Sequence, residues 1–271
     1  MNTIKRKLST TVPSLPKSTV WHIGSNVLCN YMKKPEYLDM ILRNKAIIPR
    51  YNMEPVGYLG IDNLETICFP MTCFCDIPFS HVSIHMSKYG NYGIGFDKTA
   101  VLEKNQIQPI HYMSKFSTLV EDFRTAFSLY YQSEKNTDTP EVLLDYLTTS
   151  LLYMKPIWGQ EPDSNGDLKD YVYQDESEWR FVPNVLPDKY YLILPQKDTT
   201  EKAKNEYSNG LTKHPESWFH FEWEDVRYII VPDDMAVKQV INTIKTLHLP
   251  TSNRDMLISR IEISRRFSSD R

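Results

Sequence analysis

The sequence predicts an α+β fold with helices inserted between two groups of strands, and three observations predict it. Compact apolar runs occur at Thr66 to Pro78 and Tyr92 to Phe96, a second set of short β-rich runs follows residue 170, and apolar residues recur at helical spacing between them. The 271 residues are 41% hydrophobic, 12% aromatic and 24% charged, which are globular proportions. Thirty-one basic residues against 34 acidic ones leave a formal charge of −3, so no overall basic excess points to nucleic acid.

Taken in order, residues 1–18 are polar, carry Lys5, Arg6, Lys7 and Lys17, and predict a flexible basic arm. A single domain is expected over 19–250, opening with a short strand at Val20 to Ile23. Pro35 starts a helix to about Leu42 with Leu38, Ile41 and Leu42 on one face. Between the two apolar strands, Phe79 to Lys88 predicts a short helix. Phe116, Leu119, Val120, Phe123, Phe127, Tyr130 and Tyr131 predict a longer one. Thr139-Pro140-Glu141 caps the next, whose stripe is Leu143, Leu144, Leu147, Leu151 and Leu152. Glu161 to Asp170 reads as a loop turning at Asn165-Gly166. Strands are then expected at Tyr171 to Tyr173, Trp179 to Val182, Tyr190 to Leu194 and Val226 to Val231. Asp233 or Asp234 caps a helix with Val237, Val240, Ile241, Ile244 and Leu247 aligned, and 251–271 reads as a basic C-terminal helix.

No apolar stretch approaches the roughly 20 residues of a membrane helix. The N-terminus lacks the apolar core of a secretory signal, and Cys29, Cys68, Cys73 and Cys75 are too few for a disulfide scaffold. The expectation is a cytoplasmic protein with reduced thiols and no membrane partner.

Tyr173-Gln-Asp-Glu-Ser-Glu-Trp-Arg-Phe-Val182 is the most informative segment. On a strand, Glu176 and Glu178 project to one side, with Glu178 at the mouth of an apolar run. The plainer reading is a solvated acidic turn with Glu178 paired to Arg180. His22, followed by Gly24 and Ser25, is placed to hold a ribose hydroxyl, or else to make a structural hydrogen bond. Pro70-Met-Thr-Cys-Phe-Cys-Asp-Ile-Pro-Phe79 is either one wall of a cleft or a core strand ending in a turn. Cys73, Cys75, His81 and His85 form C-x-C-x5-H-x3-H, a rival zinc reading that departs from the usual C-x2-4-C spacing. Rossmann, P-loop and nucleophile-elbow signatures do not occur.

His22-Ile-Gly-Ser25, Ile48-Pro-Arg-Tyr51, Pro70 to Pro78, His85 to Phe96 and Glu176-Ser-Glu-Trp-Arg180 together resemble the abortive-infection family AbiGi over roughly residues 20 to 245. That resemblance implies a place in a phage-defence operon beside a toxin or antitoxin gene, and the family label is antitoxin. The order of segments is also similar to ADP-ribosyltransferases, including the DarT toxins. This second likeness implies a split mixed β-sheet core with inserted helices and a mono-ADP-ribosyltransferase toxin. NAD would be its substrate, no metal is expected, and the acceptor would be RNA, DNA or protein. It puts His22 and Ser25 on the adenosine side and Thr72, Cys73 and Phe74 in the middle strand. Glu178 takes the catalytic place, with Glu176 orienting the acceptor. Because Thr-Cys-Phe-Cys replaces the Ser-x-Ser or Tyr of those enzymes, Tyr89 or Tyr92 is the alternative nicotinamide contact.

The chemistry is coherent, because one carboxylate on the ribose stabilises an oxocarbenium-like state. A toxin of this kind needs a cognate antitoxin encoded nearby. The alternative is a non-catalytic antitoxin or interaction protein, and a third is a nuclease or zinc-dependent nucleic-acid binder.

Overall fold

The computed structural model describes residues 25–132, 141–162, 165–195 and 198–267. The arm at 1–18, the strand bearing His22, and the Thr139-Pro140 cap lie outside the described residues. Strand β1 (Val27–Met32) comes first, then α1 (Pro35–Asn44), β2 (Ala46–Ile47) and β3 (Arg50–Pro55). Next are β4 (Thr66–Cys75), α2 (Ser83–Tyr89), β5 (Tyr92–Asp97), α3 (Lys98–Lys104), β6 (Ile107–Pro109) and β7 (His111–Met113). Helices α4 (Thr118–Gln132) and α5 (Glu141–Leu152) lead to β8 (Met154–Pro156), β9 (Trp158–Pro162), β10 (Leu168–Val172) and β11 (Glu178–Phe181). The chain continues through α6 (Glu201–Gly210), β12 (Phe219–His220), β13 (Val226–Val231), α7 (Asp234–Thr246), α8 (Thr251–Ser259) and β14 (Ile261–Ile263). The α+β class holds, with a mixed sheet and eight helices among the described residues. None of these helices is long and apolar enough to cross a membrane.

The single domain expected over 19–250 is built as two compact units. The first takes its described residues from 49–71 and 108–217, and the second from 25–48, 72–107 and 218–267.

In the second unit, β14 runs parallel to β13, and β13, β5, β1 and the end of β4 pair antiparallel in that order. Phe74 packs between Phe96 and Phe219, with ring centroids at 6.1 and 4.9 Å. Burial of such rings is the main driving force for this core. Helix α1 begins with Pro35 and buries Leu38, Ile41 and Leu42 as their spacing predicts. It lies beside α7, joined by the Thr243 hydroxyl donating to Asp39 at 2.6 Å. Asp97 caps α3 by accepting the Ala100 N–H at 2.9 Å. Gly90 closes α2 at φ 116°, where an added Cβ would lie 2.2 Å from the Met32 carbonyl oxygen.

In the first unit, β3 pairs antiparallel with the opening of β4, β9 with β10, and β7 runs parallel to β8. Val120, Phe123 and Phe127 of α4, and Leu147, Leu151 and Leu152 of α5, are buried. Helix α6 sits on β3, where the Ser208 hydroxyl accepts the Tyr51 N–H at 2.9 Å.

Several expectations are corrected. Strand β4 stops at Cys75, because Asp76 turns away to accept the Ser25 N–H at 2.7 Å and Pro78 has no N–H to continue a ladder. The helix expected over Phe79 to Lys88 splits into a 3₁₀ turn, Phe79–His81, and α2. Phe116 falls in the turn before α4, and Phe116, Leu119 and Leu143 are exposed instead of buried. The loop at 161–170 is largely strand, since β9 and β10 reach into it as a hairpin. No strand forms at Tyr190 to Leu194, where the Tyr190 N–H turns back to Pro187 and the Leu194 N–H bonds Cys68. Beyond Ser259 the C-terminal helix gives way to β14, whose alternating Ile261 and Ile263 pair beside Ile229 and Val231.

Candidate functional site

The only segment in which sequence reasoning put two chemically active carboxylates becomes a buried ionic cluster in the first unit. Tyr173–Glu176 forms a 3₁₀ turn, Ser177 adopts a left-handed conformation at φ 42°, and β11 starts at Glu178. The turn, not a shared strand face, brings the two carboxylates together. Lys155 on β8 reaches both, with Nζ 2.8 Å from Glu176 Oε2 and 2.9 Å from Glu178 Oε2.

Arg180 lies two residues along β11, so it projects to the same side as Glu178. Its Nε and Nη2 fork onto Glu178 Oε1 at 2.9 and 2.8 Å. Nη2 also lies 3.2 Å from Glu54 Oε2 on β3. Nη1 donates to the Leu152 carbonyl at 2.6 Å, at the negative end of α5. The guanidinium stacks over Phe69 at 5.4 Å. The Tyr112 hydroxyl accepts the Glu178 N–H at 2.7 Å, and the Tyr171 hydroxyl donates to Glu176 Oε1 at 3.0 Å.

Glu176 and Glu178 are 3% and 5% exposed, and Arg180 is fully buried. Burial opposes the charge on Lys155, but Glu178, Glu54 and Glu176 outweigh it and hold its pKa well above the usual lysine value. Burial likewise pushes the Tyr112 and Tyr171 hydroxyls up, with Glu176 adding to the effect at Tyr171. Charges taken this far from water persist only when closely matched, and here the matching is mutual.

The plainer reading, a solvated acidic turn, is corrected in one respect: Glu178 pairs with Arg180 as that reading has it, but both its oxygens face cations in the buried interior of the unit. A glutamine there would turn its NH2 toward one of two buried donors, Lys155 or Arg180, and lose that contact.

The remaining candidates fall in the second unit, apart from His22, which lies outside the described residues. The Ser25 N–H bonds Asp76, and its hydroxyl accepts the Val27 N–H at 3.1 Å. Thr72 is buried, the Cys73 carbonyl accepts from Asn30 Nδ2 at 2.8 Å, and Phe74 is core. The reading of Phe74 as a cleft wall is corrected on that ground. Tyr89 ends α2 with its ring 4.5 Å from that of His85, and Tyr92 opens β5 opposite Met32. Among the described residues no three His, Cys, Asp or Glu side chains converge as metal ligands, so the Cys/His motif does not assemble.

Sequence reasoning missed Lys155 and Glu54. Lys155, in Tyr-Met-Lys-Pro156 directly after an apolar helix, was the one available signal: a lone cation in an apolar run needs a buried anion.

The family model described as "Putative abortive phage resistance protein AbiGi, antitoxin" matches residues 45–232, a span that contains Glu54, Lys155, Glu176, Glu178 and Arg180. The Abortive phage resistance protein AbiGi of Lactococcus lactis subsp. cremoris is 30% identical over 239 residues, covering 80% of this chain and 96% of that protein. No solved structure matches. The match to most of the chain, together with that relative, shows that this chain belongs to the AbiGi family of abortive phage resistance proteins.

Proposed function

We propose that this chain is the non-catalytic antitoxin of an abortive-infection system and restrains a partner toxin by protein–protein contact. The observation that carries the reading is the state of Glu178. ADP-ribosyl transfer needs a carboxylate presented to the ribose, where its charge acts as the cation develops. Here that carboxylate is buried on Arg180 and Lys155 and works as an internal counter-ion. The family description names an antitoxin, which favours the same conclusion.

The experiment is growth of a bacterial host expressing the chain alone, then with the toxin of its own operon. Harmless expression alone, and rescue of growth on co-expression, is the expected result. Growth arrest by the chain alone, with label transferred from radioactive NAD to RNA, DNA or protein, would return the assignment to a mono-ADP-ribosyltransferase toxin. Because Glu178→Gln is expected to weaken the fold, its circular dichroism must accompany any loss of toxicity.

A further inference from the structure

The β9–β10 hairpin has two unlike faces. Its inner face is held by the buried cluster: Tyr171 bonds Glu176, and Gly159 leaves room for the Tyr173 ring, which an added Cβ would approach to 2.9 Å. The outer face carries Trp158 directly opposite Val172, with Leu168 farther along the same side. Phe116, presented by the turn that closes with the Ser117 N–H on Ser114, meets Trp158 at a centroid distance of 6.0 Å. Leu119 follows as the second residue of α4. The Lys115 ammonium lies over both rings, at 5.5 and 5.6 Å, and joins no ion pair among the described residues.

Phe116 is 80% exposed and Leu119 60%, whereas Phe123 on the same helix is buried. Scattered surface apolar residues need no explanation, but a contacting Trp–Phe pair has the aromatic enrichment of a protein–protein interface. Resting on the antitoxin reading, we infer that this patch is where the toxin docks, through an apolar element that brings a carboxylate to Lys115.

The test uses the full-length chain and the toxin of its operon, with the complex measured by calorimetry and neutralisation by growth. Phe116→Asp and Lys115→Glu change exposed positions and are expected to keep the wild-type circular dichroism. Each should weaken binding by at least about tenfold and lose rescue. Met235→Asp, equally exposed but on α7 of the other unit, should do neither. Wild-type affinity in Phe116→Asp would overturn the inference. So would a dimer of the free chain that Phe116→Asp dissolves while toxin binding is unchanged. Wild type that neither binds nor rescues removes the antitoxin reading itself, a result distinct from failure of the patch.

Discussion

Replacing Lys155 with methionine removes one ammonium and leaves most of the side-chain volume in place. Its Nζ stands 2.8 and 2.9 Å from two carboxylates, and Arg180 Nε and Nη2 reach only one of them, Glu178. Stripping one partner from a buried ionic group costs about 3–5 kcal/mol, because the remaining charge stays desolvated. At roughly 2–4 °C per kcal/mol for regions of this size, the melting temperature of the first unit should fall by about 6–20 °C. Urea unfolding followed by circular dichroism measures the difference directly.

The pH dependence of that difference has a definite sign. The native pKa of Lys155 is raised, so its contribution is present in full below the ordinary value of 10.5. It is lost only as pH climbs through the higher native value. In acid the gap narrows for another reason, since the carboxylates orphaned in the variant take up protons. The stability difference should therefore be widest near neutrality. Adding Glu176→Gln to Lys155→Met removes one of the excess negative charges, keeps an acceptor for Tyr171, and should recover about 1 kcal/mol or more. A single variant within about 0.5 kcal/mol of wild type, or a double variant no better than the single, would refute the view that mutual charge compensation holds the cluster.

Two further outcomes concern the second unit. Gly90→Ala forces a residue with a Cβ into φ 116° and against the Met32 carbonyl, so destabilisation of at least about 1–3 kcal/mol is expected in thermal unfolding; an unchanged midpoint would show that the turn can be rebuilt. Burial pushes the Cys29 thiol up to about 12 and raises its cross-strand neighbour Cys75 as well, so neither should react with a thiol reagent at about pH 8 until the protein is unfolded; labelling of either in the folded protein would contradict that environment.

Much of the fold was legible wherever one face of an element meets the core. Helix α1 follows from Pro35 and the spacing of Leu38, Ile41 and Leu42, and α7 from Asp233 and its stripe. Strand β1 was missed because Val27 to Met32 is an apolar run that lacks the alternation of a half-buried strand. Helix α6 was missed for the opposite reason: Glu201 to Gly210 has almost no apolar stripe, and the Thr200 cap and its seat on β3 place it. The basic tail reads as one helix because Pro250 gives a start signal, while nothing local marks the stop at Ser259 before β14.

By itself, the sequence determined that this chain is globular and α+β, because composition and short-range periodicity encode burial, and it singled out the Glu-Ser-Glu-Trp-Arg segment as the most informative. Only tertiary structure decided what that segment does. Glu176 and Glu178 become internal counter-ions because a lysine 21 and 23 residues upstream and an arginine two residues along β11 close on them within the unit. A carboxylate's role depends on whether water, substrate or another side chain faces it, and that is settled by contacts distant in the chain.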